Sequence, residues 1–358
     1  MRIAFVHDDL TQWGGAERLL LGMLEVFPGA PIYTTVVDFS KLPSVFSTLD
    51  IRPSFMQKVL GVKRFPRAFA PLYPFAVESF DLTSYDIIVS SSTRFAHGII
   101  PGPRSIHLCF MNTPAKMWWD SNRYFGTTPL WLEPALAAFR AWDQIAALRV
   151  DQFLANSQNV RRRIEKYYRR ESIVLHPFVD LARFAYLSRK GKFFLIVSRL
   201  LKYKHIDLAV QACSRLHLPL VVIGSGPDEK RLCALAGPTV RFAGQLTDDA
   251  VVAYYRDCLA LIIPGEEDFG MTALEAFASG KPVIAFVGGG ALETVVDGKT
   301  GMFFREPTID SLISVLKRFE KTAFSGLILK AHARTWSKQN FQRKFRRLVE
   351  KAGGRALG

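Results

Sequence analysis

Short apolar runs alternate with segments carrying apolar positions at helical spacing from one end of the 358-residue chain to the other. That alternation leaves little choice of fold: strands joined by helical crossovers pair in parallel and stack helices on both faces of the sheet. Strands are expected at 3–6, 32–37, 85–90, 105–110 and 152–155, with a helix over 16–27. The series breaks where the apolar run Ile173-Val174-Leu175 meets Pro177 and the basic stretch 183–192 follows. It then restarts, with strands at 193–197, 220–223, 240–242, 259–264, 282–286 and 301–304, helices at 207–216, 248–257 and 272–279, and helical sequence over 308–352. Two doubly wound α/β domains are the expectation, 1–178 and 179–340, with a basic helix or tail at 341–358 that could return to the first. Such sheets bind ligands outside the carboxyl ends of their strands, so the chemistry belongs in the loops that follow strands.

Charge and composition narrow the class. The net charge of +15 is uneven: residues 151–200 carry 11 Lys and Arg against 4 acidic residues, 301–358 carry 13 against 4, and 201–300 carry 9 against 12. The clusters at 161–170 and 338–355 suit an anionic surface, and solubility alone is the plainer explanation. A nucleic-acid binder would need a recognition helix or an aromatic RNA platform, and neither pattern occurs. The four cysteines (109, 213, 233, 258) are scattered and form no metal-ligand spacing. The first strand runs straight into His7-Asp8-Asp9 and is too short for a secretory segment, and no stretch is long and apolar enough to span a bilayer. A cytoplasmic location is expected.

Four loops carry candidate chemistry. In Pro264-Gly265-Glu266-Glu267-Asp268-Phe269-Gly270-Met271, a strand passes through an acidic loop into a helix, whose N-terminus suits a diphosphate. Glu275, inside that helix, could accept two ribose hydroxyls, while Glu266 and Asp268 read as ordinary loop charges. Arg199 and Lys204 follow a strand, and two such cations can neutralise a leaving diphosphate. Gly14-Gly15 between the first strand and helix lets backbone approach a ligand, or makes a plain tight turn. Gly288-Gly289-Gly290 before Glu293 allows close approach or a hinge. Asp8-Asp9 is adjacent, so no spaced Asp pair for a metal appears in a suitable loop.

These segments, in this order and at these distances, resemble the large retaining glycosyltransferase family called group 1, or GT4, which has the GT-B fold: two Rossmann-like domains facing across a cleft. Glu267 and Glu275 match its E-x7-E signature, Arg199 and Lys204 its R-x4-K clamp, and Gly14-Gly15 its N-terminal loop. Gly-Gly-Ala-Glu-Arg at 14–18, Phe80-Asp81-Leu82 and Ala155-Asn156-Ser157 look most like the mannosyltransferase branch that builds bacterial surface polysaccharides. The resemblance implies a nucleotide-sugar donor, GDP-mannose foremost and a UDP-sugar as the alternative, with no cofactor and no metal. It implies that the diphosphate lies against Arg199, Lys204, Phe269, Gly270 and Met271, that Glu275 holds the ribose, and that Glu267 lies near the transferred sugar. The base would pack on the loops at Gly224 and Leu246. The acceptor, a glycan or polyprenyl-linked glycan, would enter from the first domain. Where the family has a His after the strand ending near Phe110, this chain has Asn112, which can donate a hydrogen bond but cannot carry charge. His97 and His107 read as structural. Residues 55–75 interleave aromatics with cations and, with 161–170, suit an anionic membrane surface on the inner face of the cytoplasmic membrane. A donor-binding protein without turnover is the reading from another class.

Overall fold

The computed structural model describes residues 1–126, 128–184, 189 and 191–356; the side chains of Arg67, Arg355 and Ala356 also fall outside the description, as do parts of the basic connector and of the tail end. The chain packs as two units. The first comprises Met1–Asp120, Thr128–His176 and Phe341–Gly358; the second comprises Ser121–Thr127 and Pro177–Asn340. Residues 121–127 thus pack with the second unit, although the chain on either side of them belongs to the first.

The first unit is built on a seven-stranded, wholly parallel sheet: β1 (Ile3–His7), β2 (Ile32–Thr34), β3 (Ile51–Pro53), β4 (Ile87–Ser92), β5 (Ile106–Met111), β6 (Gln152–Ala155) and β7 (Ser172–Val174). Its spatial order is β3-β2-β1-β4-β5-β6-β7. β1 and β4 are buried along their whole length, as parallel strands covered by helices on both faces must be. β2 stops at Thr34, three residues short of the apolar run, because the Thr35 N–H and hydroxyl turn to the Asp8 carbonyl. β4 starts two residues later than the apolar run implies. Asp86 instead accepts from the Arg2 N–H, and the Tyr85 hydroxyl sits against the Tyr33 hydroxyl and accepts from the Arg52 guanidinium. The unit closes with the helix Lys338–Ala356, whose Phe345 is fully buried against Phe5, Phe27 and Phe341.

The second unit carries six parallel strands: β8 (Phe193–Val197), β9 (Leu220–Ile223), β10 (Val240–Gly244), β11 (Cys258–Ile263), β12 (Val283–Phe286) and β13 (Gly301–Phe304). They are ordered β10-β9-β8-β11-β12-β13. This is the doubly wound order of nucleotide-binding sheets, with its reversal between β8 and β11. Helices Ile206–Arg215 and Ile309–Phe319 cover one face, and Asp248–Asp257, Met271–Ala278 and Gly326–Arg334 pack into the core cluster on the other. Thr247 and Thr308 cap two of these helices through their side-chain oxygens.

Candidate active site

The reversal between β8 and β11 sends their two following loops in opposite directions and leaves a crevice between them. The β8 loop is anchored by Leu200 and Tyr203, both buried, so the residues between and after them are held in place. Arg199 stays exposed, and among the described residues no ion pair engages it. Lys204 ends a single turn, Lys202–Lys204, before His205 enters the next helix in a left-handed conformation. From the β11 loop Glu267 meets the Lys204 ammonium in a close ion pair. Burial alone would depress the Lys204 pKa; the Glu267 charge, with smaller help from Tyr203 and Asp268, raises it instead, so the amine stays a cation. The two ends of the crevice are therefore tied by one charged contact.

Close packing of the loops fixes that contact. Gly265 lies on the Lys204 backbone, where a Cβ would come 2.6 Å from its carbonyl oxygen. On the far side, Gly289 (φ +59°) pairs with Glu267, and a Cβ there would come 2.2 Å from the Glu267 carbonyl oxygen. The Gly290 N–H donates to that same oxygen at 2.9 Å. The close approach that the glycine triplet permits is thus to the acidic loop itself. Gly224 does the same for the β8 loop: at φ +128° its Cβ position lies 1.9 Å from the Ser198 carbonyl oxygen, and its N–H donates to the Gly244 carbonyl.

Past Glu267, the Phe269 ring is buried against Trp336 at 5.5 Å, so only its backbone can face a ligand. Gly270 (φ +89°) opens the helix Met271–Ala278, whose first-turn N–H groups point toward the crevice end of β11. Glu275, one turn further in and half-buried, accepts from the Tyr255 hydroxyl at 2.9 Å. Burial and the Glu275 charge keep that phenol protonated well past its ordinary range. Leu246, after β10, is half-buried on the core of this unit.

Sequence reasoning therefore brought together Arg199, Lys204, Glu267, Phe269, Gly270, Met271, Glu275, Gly224 and Leu246, all in the second unit. It missed Tyr255, for which the signal was a tyrosine on the inner face of a helix, whose hydroxyl needs a partner when buried. It also read Glu266 as an ordinary loop charge, whereas Glu266 pairs with Arg123 at 2.8 Å. Among the described residues no three His, Cys, Asp or Glu side chains gather as a metal site.

Gly14, Gly15 and Asn112 lie in the first unit. Gly14 caps the helix Gly15–Leu24, and its N–H donates to Glu17 at 2.9 Å. Buried Glu17 also accepts from Gln12 and faces His7 at 3.7 Å. Asn112 follows β5, its amide nitrogen near the Ser91 hydroxyl and Ser92 carbonyl, and its carbonyl accepts from Asn156 at 2.7 Å. His107 and His97 are buried beside Ser90 and Ser92, and His97 also faces Asp143.

Residues 178–338 match the family described as Glycosyl transferases group 1. A GDP-mannose-dependent alpha-mannosyltransferase of Mycolicibacterium smegmatis is 31% identical over 216 residues, 55% of this chain and 56% of that protein. A D-inositol 3-phosphate glycosyltransferase of Acidothermus cellulolyticus is 31% identical over 205 residues, 48% of this chain and 45% of that protein. The chain spans about half the length of the curated relatives it matches. The Anabaena protein HepE, solved with UDP and glucose, superposes with a TM-score of 0.74 at 16% identity, covering 98% of this chain and 99% of that one. That likeness is one of fold: two parallel-sheet Rossmann-like domains of the GT-B type.

Proposed function

With residues 178–338 belonging to the glycosyl transferases group 1 family, we propose that this protein is a retaining, metal-independent glycosyltransferase. It moves a hexose, mannose from GDP-mannose, to a glycan or polyprenyl-linked glycan acceptor. The observation that carries the reading is the Lys204–Glu267 pair at the reversal of the second sheet, set between exposed Arg199 and the helix that starts at Gly270.

In the reaction the bond from sugar C1 to the terminal phosphate oxygen breaks and a bond from C1 to an acceptor oxygen forms on the same face. The acceptor's proton passes to the departing phosphate. The leaving nucleoside diphosphate gains negative charge, which Arg199, Lys204 and the N–H groups at Gly270 and Met271 are arranged to neutralise; charge that develops in the transition state is best met by cations already in place. These cations do the work a divalent ion does elsewhere. Glu267 holds Lys204 and faces the transferred sugar. Glu275, oriented by Tyr255, accepts the ribose hydroxyls, and the loops of Gly224 and Leu246 flank the base. In the first unit Gly14 and Gly15 contribute to donor binding, and Asn112 positions a sugar hydroxyl without carrying charge.

The mannosyl assignment draws on the M. smegmatis relative, which is named for GDP-mannose. A UDP-sugar is the second reading, favoured by the UDP seen in HepE. Thermal shift against GDP-, UDP-, ADP- and dTDP-sugars with EDTA present separates them: a ligand at a hundred times its dissociation constant stabilises by about 2.7 kcal/mol. Loss of the shift in Glu275→Ala supports the ribose role, and no shift with any nucleotide overturns the donor site. We also propose peripheral binding at the inner face of an anionic membrane. Among the described residues no helix is long and apolar enough to cross one. In residues 55–75 Met56, Val62 and Tyr73 turn into the core, while Phe55, Leu60, Phe65 and Phe75 stay exposed among Lys58, Lys63 and Arg64. Arg161 and Arg162 are exposed as well. Failure to co-sediment with anionic vesicles at low salt would sink this part.

A further inference from the structure

Glu266, Glu267 and Asp268 are three consecutive carboxylates beside the crevice that the donor-site reading assigns to a diphosphate. Uncompensated, they would repel it, since unit charges a few ångströms apart near a protein surface are only partly screened. Lys204 answers Glu267. Glu266 is answered from 143 residues away in the chain, by Arg123 at 2.8 Å.

Arg123 sits on the short helix Ser121–Phe125, within the segment that packs on the second unit while its flanks belong to the first. The ion pair ties this segment to the β11 loop, and neighbouring contacts seat it on the β8 loop. The Tyr124 ring stacks on Tyr203, the residue before Lys204, at 5.8 Å and 26°. Gly126 (φ +93°) runs past Lys202, where a Cβ would come 3.5 Å from the ammonium nitrogen. The Arg123 charge also reaches His205, whose pKa is lowered first by burial and also by Arg123 and Arg231. Segment 121–126 therefore lies along the turn that presents Lys204 and delivers a cation to the loop that presents Glu267.

We propose that Arg123 is a positioning residue of the donor site, which neutralises Glu266 and holds the acidic loop against Lys204 so that a nucleoside diphosphate can enter. This rests on the donor-site reading above. Arg123 acts through Glu266, so charge at the pair matters more than the identity of either side chain.

The test is titration of the full chain with GDP and with UDP by calorimetry at low ionic strength. Arg123→Glu should weaken the nucleotide that binds the wild type by at least about tenfold, and Arg123→Gln should weaken it less. The exchanged pair Arg123→Glu with Glu266→Arg should recover to within about threefold of wild type. A merely structural strap would not respond to exchanging the two charges. Wild-type affinity in Arg123→Glu, or no recovery in the exchanged pair, overturns this inference alone. A wild type that binds neither GDP nor UDP overturns the donor-site reading and takes this inference with it.

Discussion

Both sheets reverse their winding between adjacent strands, β1 and β4 in the first unit and β8 and β11 in the second, yet the two crevices are furnished differently. At the first, the loop after β4 offers the N–H groups of Thr93, Arg94, Phe95 and Ala96, and the carboxylate of Asp8 takes all four at 2.7–3.0 Å. The Thr93 hydroxyl adds a fifth bond. Burial would raise the Asp8 pKa, but Arg94, His7 and these donors hold it below the usual carboxylate range. Arg94 itself pairs with Asp9. The first crevice thus supplies its own anion. At the second, Lys204 pairs with Glu267, while Arg199 stays exposed and a helix N-terminus opens at Gly270. On the proposed reading one topology stabilises a domain in the first unit and receives a ligand in the second, and what separates the two is whether the chain contributes the negative charge.

If that contrast is right, substitutions at equivalent places should fail in different ways. Lys204→Ala should cut turnover by about 10²–10³-fold, as losing one fixed donor to a developing anion does; steady-state kinetics with the donor found by thermal shift checks this. Asp8→Ala should instead cost about 3 kcal/mol of stability, because four backbone N–H groups, two of them buried, lose their acceptor. Urea unfolding would show it, and an effect of Asp8→Ala confined to nucleotide affinity would break the contrast. Tyr255→Phe should weaken nucleotide binding by about three- to tenfold, the net worth of one hydrogen bond to a carboxylate that remains partly solvated, read by calorimetry.

The smallest effect is one of pH. Burial lowers the His7 pKa, but the Glu17 hydrogen bond and charge, with Asp8 and Asp9, raise it above 6.5 overall. Glu17 is lowered in turn, burial being outweighed by His7. His7 binds its proton more tightly folded than unfolded, so its contribution is full below pH 6.5 and is lost as pH rises through the folded value. The urea midpoint should fall between pH 6 and pH 9, and less so in His7→Gln. The second crevice, whose Lys204 pKa is raised from an already high value, should show no such slope over this range.

Much of this was legible in the amino-acid order. β8, β9, β11 and β12 are unbroken apolar runs because parallel strands bury both faces, and the loop residues after them could be found by position alone. β3 was not legible: Ile51–Pro53 is a short, largely exposed edge strand ending in proline, with no apolar period to betray it. The 16-residue helix Glu133–Leu148 also escaped, since its exposed Ile145 and Leu148 blur the apolar face. Glu266 was underread for a different reason. A carboxylate beside two others looks like surface charge until the partner that neutralises it, 143 residues earlier, is brought to it by the fold. Local pattern reports which loops follow strands; it does not report which distant segment lies on top of them.

The return of the last helix to the first unit has a consequence for the order in which the protein is made. Every residue of the second unit has been joined to the chain by the time Asn340 is added. The first unit, begun hundreds of residues earlier, must still wait: Phe341 and Phe345 are missing from beside Phe5, Phe27 and Phe110, and Gln342 from the Gly22 carbonyl and Glu25. The half translated first is therefore the half completed last, and a chain truncated before residue 341 should leave exposed the apolar surface at Phe5, Phe27 and Phe110 that Phe341 and Phe345 cover.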